Sequence, residues 1–145
     1  MKAVVQRVKQ ARVKESSKVI AEIGKGYLVF LGISKDDDEK KLDWMVKKVV
    51  NLRVMEDKDE HMNLSLKDVN GEILVVSQFT LLGNCERGNR PSFINAARPP
   101  KAEKMYNQFI ERAEKSGLVV KAGKFRAMMN VELINDGPVT ILIEK

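Results

Sequence analysis

The chain has 145 residues, 43% hydrophobic and 32% charged, with a formal net charge of +6. This is the balance of a globular protein in water, and its length suits one domain that buries about 70% of its unfolded surface. No apolar run reaches the ~18 residues of a membrane span and the first residues lack the apolar stretch of a secretory signal, so no membrane contact and a cytoplasmic location are expected.

In chain order, residues 4–8 with Val13 read as a first strand and residues 19–23 as a second. Gly24-Lys25-Gly26 turns the chain into an apolar strand over residues 27–33. After the acidic run Asp36-Asp37-Asp38-Glu39, the spacing of Leu42, Met45, Val46 and Val49 predicts an amphipathic helix, its acids placed at the N-terminus where the helix dipole favours them. Asn70-Gly71, between residues 64–69 and 73–76, predicts a two-residue hairpin turn. Pro99-Pro100 opens a second helix with Ala102, Met105, Tyr106, Phe109, Ile110 and Ala113 on one face, and Gly117 closes it. Short strands follow around Val119, at residues 131–134 and at residues 139–143, the last two separated by a turn at Gly137-Pro138. With no linker, repeat or low-complexity tract, residues 1–145 are expected to form a single α+β domain, largely antiparallel sheets layered with two main helices.

Lys2, Arg7, Lys9, Arg12, Lys14 and Lys18 face only Glu15 in the first eighteen residues, and Lys115, Lys121, Lys124 and Arg126 form a second stretch free of acids. Gathered on one surface they would neutralise the phosphates of a polyanion; the other reading is a set of solvated strand faces. Nothing resembles a helix-turn-helix, so backbone contact is expected rather than base reading.

Ordinary catalytic groups are scarce. The only histidine, His61, lies in the polar stretch 56–61 and reads as a surface loop residue, which leaves a Ser-His-Asp or Cys-His arrangement without its base. The single Cys85 excludes an internal disulfide and supplies too few thiolates for a structural zinc site. Arg87 nearby would favour its thiolate, yet a nucleophilic role would again need a base. The acids at 36–39 lack the spaced ligands and glycine of a calcium loop and are more simply a helix cap. Neither a metal nor a cofactor is expected.

Three segments change the functional reading: Ser77-Gln78-Phe79-Thr80-Leu81 at the end of an apolar strand, Glu86 through Phe93, and Asn135-Asp136-Gly137-Pro138-Val139-Thr140. With them the whole chain resembles the D-aminoacyl-tRNA deacylases, which hydrolyse the ester joining a tRNA to a wrongly attached D-amino acid. Both hallmark motifs, SQFTL and NDGPVT, are intact. The resemblance implies an aminoacyl-tRNA substrate and a homodimer in which Gly137-Pro138, a cis peptide in the family, enters the active site of the other protomer. Ser77, Gln78 and Thr80 are the candidate catalytic residues, binding the terminal ribose and ester and stabilising the oxyanion; Thr80 as a nucleophile is the alternative. Phe79, Phe125, Gly137 and Pro138 are the candidate substrate-binding residues, with Phe125 either pocket wall or a stacking surface for the terminal adenosine. The family's mechanism further implies that the terminal 2′-hydroxyl of the tRNA helps to activate water, and its wider activity includes glycine mischarged on alanine tRNA.

A filter that accepts D-amino acids of every size and rejects every L-amino acid has to act at the α-carbon. Carbonyl oxygens fixed at Gly137-Pro138 suit that task, because they take hydrogen bonds from the amino group while filling the space an L side chain needs. Two rivals stand beside this reading: a non-catalytic RNA-binding module, and a small-ester or peptide hydrolase using Thr80 or Cys85.

Overall fold

The computed structural model describes residues 1–145. Its spine is β1 (Lys2–Glu15), a strand whose Ala3, Val5, Val8, Ala11 and Val13 are buried. Along one edge of β1 lie β2 (Lys18–Ile23) and β3 (Gly26–Gly32), both antiparallel to it: Ala11 pairs with Ile23, Val8 with Gly26 and Lys2 with Gly32. Its other edge carries the antiparallel β8 (Asn130–Glu144), paired from Lys2↔Glu144 to Lys14↔Asn130.

Beyond β3 the sheet turns parallel. The chain leaves β3, forms α1 (Glu39–Val50) and a small ribbon of β4 (Met55–Glu56) and β5 (Met62–Leu64), then returns as β6 (Glu72–Ser77) parallel to β3. α2 (Pro99–Glu114) carries it to β7 (Val119–Ala122), parallel to β6. The fold is thus α+β, with two main helices and a mixed sheet built around antiparallel pairs on β1. The helices start where the sequence places them. The Asp38 side chain accepts from the Lys41 N–H at 2.8 Å, and Pro99-Pro100 occupy the first turn of α2, where their missing N–H groups cost nothing.

The hairpin expected at Asn70-Gly71 does not form. Residues 66–70 make a turn with Asn70 at φ 50°, and β6 pairs with β3 from Gly26↔Glu72 to Leu31↔Ser77. The physical reason is burial on two faces. Ile73 and Val75 enter a core shared with Ala3, Val5, Tyr27, Leu42, Met45 and Phe109, while Leu74 and Val76 enter a second with Val8, Val13, Ile23 and Leu28. A strand apolar on both sides belongs at the centre of a sheet between parallel neighbours.

Gly137-Pro138 does not separate two strands either. β8 is continuous in its pairing with β1, but Val8↔Asn135 is followed by Gln6↔Thr140, so four residues, 136–139, stand opposite Arg7 alone. The surplus bulges from the ladder, with Gly137 at φ 118° and a cis Gly137-Pro138 peptide. Gly137 and Pro138 are both exposed.

Candidate functional site

A pocket of about 550 Å³ opens where β6 ends, between the start of α2 and the segment from Phe125 to Val131. This is the size of a site for a nucleoside-scale ligand. Ser77, Gln78 and Phe79 form one wall, Ala97, Pro99 and Ala102 another, and Phe125 through Met129 a third. Ser77 is fixed by its register with Leu31, and the Gln78 N–H donates to the Leu31 carbonyl at 2.8 Å, so strand pairing aims the polar pair at the opening. A short 3₁₀ turn, Phe79–Leu82, follows, and the opening N–H groups of such a turn have no partner within it.

The side chains divide by what holds them. The Gln78 amide donates to the Thr80 hydroxyl, and Thr80 itself lies just outside the pocket wall. Phe79 is half exposed and meets Phe93 edge to face at 5.1 Å. Phe125 lines the pocket and leans on Tyr106 at 5.9 Å, a buried tyrosine whose hydroxyl proton is shared between the carbonyls of Val75 and Gly123, both at 2.9 Å. Tyr106 therefore ties α2 to the two strands flanking the pocket, and burial pushes its phenol well above the usual tyrosine pKa. No carboxylate or imidazole lines the pocket; Arg126 is its one charged residue, standing at φ 62°. His61 is exposed in the β4–β5 loop, and Cys85 is exposed.

Gly137 and Pro138 are not part of this wall. The ladder Arg7↔Tyr27↔Ile73 lies four residues from Ser77 along β6, and β8 lies three strands from β6, which separates the two motifs of one chain by on the order of 20 Å. The bulge is nonetheless held firmly. The Arg7 side chain is buried, donating through Nη1 to the Val54 carbonyl at 2.8 Å, through Nη2 to Glu56 at 2.7 Å and through Nε to the Asp136 carbonyl at 3.2 Å. From the other side the Asn135 amide donates to the carbonyls of Arg7 at 2.8 Å and Val139 at 3.0 Å. Neither residue stood out as a support in the sequence. For Arg7 a signal was present, since it continues the inward-facing register of Ala3 and Val5, where a charge needs a reason.

That placement corrects the reading of Arg7 as a phosphate contact. Much of the basic stretch around it is paired as well: Arg12 and Lys14 both bind Glu132 at 2.6 Å, and Lys124 binds Glu15 at 2.8 Å. Lys14 and Arg12 hold the Glu132 carboxyl below its ordinary pKa. Asp38 of the acidic run is the cap of α1, as expected, and Asp37 is buried, accepting from the Ser34 N–H at 2.7 Å.

The structure thus defines an α+β protein with polar groups at a sheet end facing an apolar pocket that has no histidine or carboxylate in its wall. Comparison with known proteins gives it a family. The model of the family described as D-Tyr-tRNA(Tyr) deacylase matches residues 4–144. A D-aminoacyl-tRNA deacylase of Thermotoga petrophila is 55% identical over 144 residues, covering 99% of this chain and 97% of the relative. One from Clostridioides difficile is 51% identical over 144 residues, with 99% and 97% covered. A solved structure titled c-Myc DNA Unwinding Element Binding Protein superposes with a TM-score of 0.94 at 48% identity, covering 100% of this chain and 99% of its own. A probable eukaryotic D-amino acid tRNA deacylase, 17% identical with a TM-score of 0.77, shares the fold over 98% of this chain and 97% of its own. The chain belongs to the D-Tyr-tRNA(Tyr) deacylase family and is a hydrolase.

Proposed function

We propose that this protein hydrolyses the ester of D-aminoacyl-tRNA, releasing the D-amino acid and leaving L-aminoacyl-tRNA intact. The observation that carries this reading is an apolar pocket with Ser77 and Gln78 at its edge and no base in its wall, paired with an exposed, firmly held Gly137-Pro138 bulge that cannot reach the pocket of its own chain. In the proposed complex the terminal adenosine sits against Phe125, with Phe79 bordering it. Ser77, Gln78 and Thr80 orient the ribose and ester, and the opening N–H groups of the 3₁₀ turn face the developing oxyanion. With no side-chain base in the wall, the 2′-hydroxyl of the tRNA helps to activate water. Thr80 binds rather than attacks, being engaged by Gln78 and not by a base.

Gly137-Pro138 of a second copy completes the site. Its carbonyls accept from the substrate amino group and occupy the space an L side chain would need, so the working form is a homodimer in the cytoplasm. Support for pairing comes from β8, an edge strand 15 residues long that leaves Ile134 and Leu142 exposed. An achiral residue passes the same filter, and glycine on alanine tRNA is a further substrate.

The test is release of amino acid from one tRNA charged with D- or L-tyrosine. A thousandfold preference for the D-form corresponds to about 4 kcal/mol, within reach of one steric clash plus lost hydrogen bonds. Equal rates on the two would remove the chiral reading. Tight tRNA binding with no release from either would favour a non-catalytic RNA-binding module.

A further inference from the structure

One motif remains without a role in this chemistry: the arm from Glu86 to Phe93. Asn84 and Ser92 exchange two backbone hydrogen bonds, of 2.8 and 2.9 Å, which pin the base of a loop with Arg87 and Arg90 at its tip and Gly88 at φ 70° between them. The base is fixed against the pocket. Phe93 packs on Phe79 of the pocket wall, and the chain beyond the arm supplies Ala97 and Pro99 of the opposite wall. Ser34 and Ala96 form a further bridge that ties this stretch to the end of β3.

The arginines of the arm have no acidic partner, which they share with Lys47 and the pocket-lining Arg126 but not with the basic residues of β1. Arg7, Arg12, Lys14, Lys121 and Lys124 each meet a carboxylate, whereas Arg87, Arg90 and Arg98 have none within 4.0 Å. From Asn84 to Arg98 the only acid is Glu86. Two guanidinium groups without an acidic partner thus stand on an arm whose base is pinned beside a nucleoside-sized pocket, and Phe79 leaves an aromatic surface open at the mouth. Cationic grooves with exposed aromatic side chains are how proteins hold single-stranded nucleic acid without reading its sequence.

We propose that Arg87 and Arg90 bind the phosphates of the unpaired 3′ strand of the tRNA just before the terminal adenosine, so that the arm feeds the aminoacylated end into the pocket. This rests on the reading of the pocket as the aminoacyl-adenosine site. The arm does not touch the reacting ester; its contribution is to tRNA affinity.

Binding is measured by fluorescence anisotropy with an uncharged acceptor-stem minihelix, with and without its unpaired 3′ nucleotides, over a range of salt. Wild type should prefer the complete minihelix. Arg87→Ala/Arg90→Ala should weaken binding about tenfold and make the slope of log affinity against log salt shallower by about 1.4, two contacts at about 0.7 each for a single strand. Arg87→Lys/Arg90→Lys should recover most of the slope, which a merely structural guanidinium would not. A control removing two exposed, unpaired cations outside both basic stretches, Lys47→Ala/Lys67→Ala, should keep the preference for the unpaired end. In deacylation of D-tyrosyl-tRNA the alanine variant should raise KM about tenfold and hold kcat within about twofold. Unchanged binding in the alanine variant, equal loss in the control, or a fall in kcat with KM unchanged would each overturn the proposal. Because anisotropy needs no turnover, a protein that releases no amino acid yet shows the arginine-dependent slope would sink the catalytic reading and keep this one.

Discussion

Replacing Arg7 is the sharpest test of how the Gly137-Pro138 bulge is held. Its side chain is 3% exposed and supplies three donors to three different places: the Val54 carbonyl, Glu56, and the carbonyl of Asp136, whose carboxylate also lies 3.3 Å from Nε. In Arg7→Ala the Val54 carbonyl loses its guanidinium donor in a buried setting and Asp136, 26% exposed, loses its nearest cation. The carboxylates left behind reach water, so the cost is that of a buried carbonyl without its donor, about 1–3 kcal/mol, plus about 2 kcal/mol or more for the cavity left by a buried side chain, together a large share of the 5–15 kcal/mol that holds a typical domain together. Arg7→Lys keeps the charge but cannot span the three acceptors, and one buried carbonyl left without a donor costs about 1–3 kcal/mol. Glu56 is 51% exposed, so Glu56→Gln should cost under about 1 kcal/mol. The assay is urea unfolding at one fixed protein concentration, followed by D-tyrosyl-tRNA deacylation on the folded fraction. Expected is an order Ala, Lys, Gln in lost stability, with deacylation in Arg7→Lys falling further than the unfolded fraction explains. An Arg7→Lys protein within about 0.5 kcal/mol of wild type and fully active would refute the idea that this fork sets the bulge.

Three further outcomes are expected. A Cβ at Gly137 would lie 2.8 Å from a Val139 methyl and 3.0 Å from Arg7 Nη2, at a φ that side chains rarely adopt, so Gly137→Val should destroy deacylation while tRNA affinity changes little. Mixed with Ser77→Ala/Gln78→Ala, also inactive alone, it should regain activity; no recovery in proven heterodimers would place both motifs in one chain's site. Thr80→Val should keep partial turnover with no covalent adduct in mass spectra, and His61→Ala and Cys85→Ala should match wild type; a trapped acyl-enzyme in wild type would reverse the role of Thr80. Burial raises Tyr27 to about 12 and lifts Tyr106 as well, so both stay protonated in the folded protein after the unfolded chain begins to lose those protons near about pH 10. Stability from this source is complete below that pH and falls as pH rises toward 12; the fall should be smaller in Tyr106→Phe, and an identical pH profile would contradict it.

The sequence was legible where local physics decides. Both helices could be read because a 3.6-residue period of apolar side chains coincides with a local start signal, Asp38 for one and Pro99-Pro100 for the other. Asn70-Gly71 misled because turn chemistry is the same whether the chain doubles back or enters a distant slot; what distinguishes them is the all-apolar run Ile73-Leu74-Val75-Val76, which marks a strand buried on both faces. Gly137-Pro138 misled differently. A glycine-proline step looks like a break, and only the length of β1 lets both flanks pair with one partner around a bulge. Proximity of Ser77 to Phe125 was beyond local reading, since it depends on β7 docking parallel to β6 and on Tyr106 joining the two.

The bulge in β8 has a consequence for how the molecule meets its own copies. A 15-residue edge strand with apolar side chains facing outward is a template on which further strands can add without end, the first step of fibrous aggregation. Three surplus residues and a proline without an N–H cut that template into two short rails, residues 130–135 and 140–144, on either side of the bulge. A strand laid along either rail runs into the protruding Gly137-Pro138 before it can span both. An edge interrupted in this way is a poorer template for indefinite stacking than an unbroken strand of the same length.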